Sequence, residues 1–137
     1  MYNRNLKAYK TTSLDAELAV ADPHRVIQML MQGGLERLAQ AKGAIERRDF
    51  SGKSTAISKA MAIINGLQDS LDLSYGQIPQ DLYALYDYMK DRLMDASKNM
   101  DCEAIDEVAN LMITIKSAWD NIPDAEKQRA FEQQSKV

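Results

Sequence analysis

The chain has 137 residues, 45% of them apolar and 27% charged, with a net charge of −3. That is the length of one domain, able to bury roughly two thirds of its unfolded surface without staples. No apolar run nears the roughly 20 residues of a membrane span. No basic cluster in the sequence exceeds Arg47–Arg48, which argues against nucleic acid as a partner. A single cysteine excludes an internal disulfide.

The first element is a short amphipathic arm. Tyr2, Leu6 and Tyr9 stand at i, i+4 and i+7, one face of a helix. A helix of about ten residues is not stable alone in water, so the arm must dock on its own domain or on a partner. Leu14, Leu18 and Ala21 repeat the spacing after the polar break Lys10-Thr11-Thr12-Ser13. The amino end is polar and lacks a signal-peptide core, so the expected location is the cytosol.

Four long periodic segments follow. The first opens at Asp22-Pro23, a good N-cap and a residue suited to the first helical position. Its stripe is Ile27, Leu30, Gly34, Leu38, Ala41 and Ile45, and it ends near Arg47-Arg48. The second starts around Asp49 to Ser51, with Ile57, Ala60, Met61, Ile64, Leu67 and Leu71 on one face. Asn65-Gly66 reads locally as a hairpin turn, but the helical period runs straight through it. The third follows Gly76 and Pro79, with Leu82, Leu85, Tyr86, Met89, Leu93 and Ala96. Asn99 can end it and Asp101 can cap the fourth. That last stripe, Ile105, Val108, Met112, Ile115, Trp119 and Ile122, has the spacing of a helix-packing seam, and Pro123 stops it. Nothing alternates with period two over strand length. The expected fold is all-α: an antiparallel up-down-up-down four-helix bundle over residues 22–122, with the arm at 1–21 and a polar tail at 123–137.

No residue set supports catalysis, a metal or a cofactor. His24 and Cys102 are each the only residue of their type. They open the first and fourth helices, at opposite ends of an up-down bundle and roughly 30 Å apart. One histidine cannot build the paired Glu-x-x-His sites of a di-iron bundle. Gly33-Gly34 lies inside a helix rather than after a strand, so it is no phosphate loop. If the first hairpin turns near residue 49 or 50, Gly33 and Gly66 stand level across it, where both helices would be thin enough for another backbone to approach; tolerated helix glycines are the plain alternative. Apolar residues also lie off the stripes: Val26, Met29, Leu35, Ile63, Tyr83, Tyr88, Met94, Leu111 and Ile113. So many on a small bundle point to a wide core, a self-association face or a groove for a partner.

Several of these residues carry a resemblance. Met1-Tyr2 with Lys7-Ala8-Tyr9, then Ala21-Asp22-Pro23 followed by Val26-Ile27, Met29-Leu30 and Gly33, then Leu85-Tyr86-Asp87-Tyr88-Met89, then Asp101, Ile105, Glu107-Val108, Leu111 and Trp119, resemble in order and spacing the flagellin-specific export chaperones of bacteria, the FliS family. Met31, Gln32 and Asp22 stand where that family often has an aromatic, an acidic and a serine residue. The resemblance implies a cytosolic four-helix bundle that binds the disordered carboxy-terminal segment of flagellin and presents it to the export gate. Tyr2, Leu6, Tyr9, Gly33 and Gly66 are the expected partner-binding residues. The alternative is a bundle that acts by self-association, as a weak homodimer. Nucleic acid, membrane insertion, cofactors and catalysis are not expected.

Overall fold

The structure, a computed structural model, describes residues 22–122. The arm with Tyr2, Leu6 and Tyr9, and the tail from residue 123, lie outside the described residues. Four helices follow one another: α1 (Pro23–Glu46), α2 (Phe50–Asp69), α3 (Gln77–Asn99) and α4 (Cys102–Asp120), with one 3-10 turn at Leu73–Tyr75 between α2 and α3. No strand occurs among the described residues. Residues Gln28–Asn121 form one compact unit.

Three of the four helix starts are set by aspartates; α3 starts at Gly76 without a side-chain cap. Asp22 Oδ1 accepts the Arg25 amide at 2.8 Å, Asp49 accepts the Gly52 amide at 2.9 Å, and Asp101 accepts the Glu103 amide at 2.9 Å. Each satisfies a donor that a helix start leaves without an intrahelical partner. Two of these caps also close the helix before them. Arg48 sits at φ 56°, in the left-handed region. Its amide donates to Ile45 O at 3.0 Å, and the Asp49 amide donates to Ala44 O at 2.8 Å, the pair of bonds that ends a helix in a Schellman turn. At the end of α3, Met100 adopts φ 52° and its amide donates to Ala96 O. Asp101 N–H reaches the same carbonyl at 3.1 Å. Thus α1–α2 and α3–α4 are joined by the same device, a left-handed residue followed by a capping aspartate. The α2–α3 connection is longer and uses Asp72, which accepts the Ser74 amide at 3.0 Å.

Side-chain bonds establish an antiparallel ring. Along α1 and α4, Gln28 Nε2 donates to Asp120 at 2.7 Å and Lys42 pairs with Asp106 at 2.9 Å. Along α2 and α3, Lys53 Nζ donates to Ser97 O at 2.9 Å and Lys90 Nζ to Asn65 at 2.9 Å. Arg92 of α3 pairs with Glu107 of α4 at 2.9 Å. Gly34 of α1 stands close to Ile63 of α2 and Met112 of α4. Along α1–α4 and along α2–α3, one number rises as the other falls, and the short turns after α1 and α3 reverse the chain between the other neighbours. This is the expected four-helix bundle, and α2 runs unbroken through Asn65-Gly66.

The core is Met31, Leu38, Ala41 and Ile45 of α1, Ile57, Ala60, Ile64 and Leu67 of α2, Tyr86, Met89, Leu93 and Ala96 of α3, and Ile105, Val108 and Met112 of α4. The stripes hold in mid-helix and shift toward their ends. Met31, not Leu30, is buried on α1, so this core position is filled by a flexible methionine. Ile115 and Trp119 are only partly buried. A repeat of 3.5 on a helix of 3.6 residues per turn rotates by about 20° per heptad, which carries the far end of the seam off the core. Leu82 and Leu85 early in α3 are partly buried too, as are Met61 on α2 and Leu71 just after it. Gln68 is buried among these apolar residues. Its Nε2 donates to Tyr83 O at 2.9 Å and to Asp87 Oδ1 at 2.7 Å, and its Oε1 accepts Lys90 Nζ at 2.6 Å. Fully satisfied, it fixes the register of α2 on α3.

Candidate binding surface

The bundle leaves large apolar side chains uncovered. Tyr75 is 73% exposed and Ile78 is 75% exposed, with Leu73 and Tyr83 also open nearby. Leu73 and Tyr75 lie in the 3-10 turn of the α2–α3 connection, and Ile78 and Tyr83 on the first turns of α3. Phe50 at the α1–α2 turn, Tyr88 and Met94 on α3, and Ile113 on α4 are exposed as well. Isolated exposed apolar residues are ordinary; a group at one connection of a finished bundle is a surface that a partner can cover.

Two seams between helices form shallow grooves. Leu35 of α1 and Ile113 of α4 line one of about 430 Å³, which ends in the polar group of Lys116 and Asp120. Lys116 Nζ lies 2.7 Å from Asp120 Oδ2. The other, also about 430 Å³, has Met61 of α2 and Met94 of α3 at its sides, with Asp87, Lys90 and Asp91 along the rim. Between α3 and α4, Glu107 binds the Tyr88 hydroxyl and Arg92. The Tyr88 bond first, then Arg92, hold the Glu107 carboxyl below its usual range, and the same bond raises the Tyr88 phenol. These groups pin helices to one another.

Gly33 and Gly66, the described members of the expected partner-binding set, sit differently from one another. A Cβ at Gly33 would rest at 3.6 Å from Ile63 Cδ1, whereas a Cβ at Gly66 would meet nothing within 4 Å. The residue across from Gly33 is Ile63, three positions short of Gly66. Gly66 alone has open space. Tyr2, Leu6 and Tyr9 lie outside the described residues. His24 is buried. Cys102 Sγ lies 3.9 Å from Lys42 O in the last turns of α1, and burial raises its thiol, which keeps it protonated. Among the described residues, no three acidic, histidine or cysteine side chains come together as a metal site, and no helix is long and apolar enough to cross a membrane. Tyr75, Ile78 and Gln68 escape the periodicity argument. The first two lie in an aperiodic stretch, where the only signal is that apolar residues occupy a connection; Gln68 carries no apolar signal at all.

The family model described as "Flagellar protein FliS" matches residues 5–126. The chain belongs to the FliS family. It is 47% identical over 118 residues to the flagellar secretion chaperone FliSB of Pseudomonas aeruginosa, covering 85% of this chain and 94% of that protein. Two proteins named flagellar secretion chaperone FliS are also similar. That of Salmonella typhimurium is 40% identical over 85% of this chain and 88% of its own length. That of Vibrio cholerae is 39% identical over 87% and 88%. FliS relatives are thus chaperones of flagellar secretion, and the arrangement seen here, a complete bundle with uncovered apolar side chains, suits a protein that holds another chain.

Proposed function

We propose that this FliS-family protein is a non-enzymatic cytosolic chaperone that binds the disordered carboxy-terminal segment of flagellin, keeps subunits from polymerising early and, with cargo aboard, engages the flagellar export gate. The observation that carries this reading is the set of large apolar side chains left open on a finished bundle, Tyr75 and Ile78 foremost. Covering one such side chain fully is worth about 1.5–3 kcal/mol, so a segment that wraps several can meet the cost of its own ordering. The arm over residues 1–21, with Tyr2, Leu6 and Tyr9, adds a further apolar face to the same task. Gly66 offers a place where cargo backbone comes close to α2; Gly33 lies on the neighbouring helix beside Ile63.

Size-exclusion with light scattering, with and without a peptide of the flagellin tail, tests the reading. A stable one-to-one complex is expected. A concentration-dependent dimer that ignores the peptide would overturn it in favour of self-association.

A further inference from the structure

The turn from α1 to α2 gathers cations that are scattered in the sequence. Arg37 projects from α1, Arg47 from the turn that follows it and Lys59 from α2, around a groove of about 300 Å³. Its floor is small: Ala44 and Ala56 are buried, and Gly52 adds no side chain. Gln40 and Thr55 complete the rim.

The three cations lack carboxylate partners. The ion pairs among the described residues lie along α3, along α4, or where α4 meets α1 and α3. None involves Arg37, Arg47 or Lys59, although Glu36 and Glu46 are adjacent in sequence. Asp49, the nearest acid at the turn, is committed to the Gly52 amide at 2.9 Å. In a chain of net charge −3, this is a local excess of positive charge. Two further details hold it in place. Arg37 Nη1 donates to Gln40 Oε1 at 3.0 Å, along the groove wall. A Cβ at Gly43 would lie 2.9 Å from Arg47 Nη1, so the missing side chain lets the guanidinium fold back onto α1.

We propose that the α1–α2 groove is a second docking site, separate from the apolar cargo surface, that takes an acidic helical segment of another protein. The seam between two antiparallel helices with a floor of small residues accepts the ridge of a third helix. The charge pattern sets the register. Gly34 abuts Ile63, so Arg37 stands roughly level with Lys59 at one end of the groove. Arg47 lies ten residues on, about 15 Å away at the helical rise. The matching ligand therefore carries carboxylates about three helical turns apart, with small residues between them. Duplex nucleic acid carries a charge every 1.7 Å or so, far denser than this pattern, which leaves most of its phosphates unmatched.

The probe is a fluorescent helical peptide with glutamates about three turns apart, compared with its glutamine counterpart and with an oligonucleotide of equal charge. Binding of the full chain is read by anisotropy, and the site by amide chemical shifts. The glutamate peptide should bind with a Kd below about 1 mM at low salt and weaken as salt rises. It should shift α1–α2 groove amides and lose at least about tenfold on Arg37→Gln/Arg47→Gln/Lys59→Gln or on Thr55→Glu. Both variants change exposed or partly exposed side chains, and circular dichroism verifies the fold. Flagellin-tail binding should stay within about twofold of wild type, as separate sites add independently. Equal binding of the glutamine peptide, tighter binding of the oligonucleotide, shifts confined to other faces, or unchanged affinity in the variants would each overturn the proposal. So would loss of flagellin binding in both variants, which would make the groove part of the cargo surface.

Discussion

The two ends of the bundle are built on different principles. At one end, α1–α2 and α3–α4 turn within a few residues, each closed by a left-handed residue and a capping aspartate whose partners lie within the same few turns. At the other, α2 and α3 are joined through a 3-10 turn that carries Leu73 and Tyr75, with Ile78 just inside α3, all exposed. The tight end spends its residues on backbone hydrogen bonds and gains a defined hairpin geometry. The open end spends them on apolar side chains left largely in solvent. Backbone closure and uncovered apolar surface thus lie at opposite ends, and each can be perturbed without the other.

The largest effect should separate core from surface at the open end itself. Leu67, in the last turn of α2, is 1% exposed. Leu67→Ala should cost about 2–5 kcal/mol through lost burial and a residual cavity. Tyr75→Ala and Ile78→Ala should stay within about 0.5 kcal/mol of wild type, although each removes a large apolar group. Urea melts of the three variants would read this directly. A loss above about 1.5 kcal/mol at Ile78 would mean that the open end is structural after all.

A smaller effect comes from the phenol of Tyr86 in the core. Burial pushes it from 10.0 up to about 12. The unfolded chain gives up this proton near pH 10, the folded chain only near 12. The stabilisation is therefore complete below pH 10 and is lost as pH rises from 10 to about 12. Two units correspond to about 2–3 kcal/mol. Over that range the wild type should lose about that much more stability than Tyr86→Phe; parallel curves would show the phenol to be open to water.

The smallest effects test the tight end. Asp49→Ala and Asp101→Ala should each cost about 1 kcal/mol, while Arg48→Gly and Met100→Gly should each gain up to about 1 kcal/mol by relieving a left-handed residue that carries a side chain. Thermal melts in which the glycine variants fall below wild type would mean that Arg48 and Met100 contribute contacts outweighing their backbone strain.

The tight end was readable from sequence and the open end was not, for the same reason. Asp49 and Asp101 act on amides two or three positions away, so their role follows from local order alone. The helical period likewise carried α2 through Asn65-Gly66. What failed depended on a third dimension. The choice of Met31 over Leu30 is set by which side of α1 meets its neighbours, and the drift of Ile115 and Trp119 off the core by the slow rotation of a seam on a nearly straight helix. Gln68 looks like a surface residue until Tyr83, Asp87 and Lys90 are brought around it. Arg37, Arg47 and Lys59 form no run in the sequence and become a patch only when the first hairpin closes. Of the expected binding residues, Gly33 stands across from Ile63, and the three-residue error for Gly66 came from placing the turn slightly too late.

The connection between α2 and α3 has a further consequence. Because α1–α2 and α3–α4 are each closed by their own turn, residues 70–76 are the one covalent tie between two helical hairpins. A short flexible tie of this kind holds its ends at an effective concentration on the order of millimolar, whatever its side chains are. Its length can change at small entropic cost, since doubling a loop adds only about 0.6 kcal/mol. The segment thus acts as a tether whose composition is released from the demands of packing, and this freedom is what permits Leu73 and Tyr75 to stand in water there.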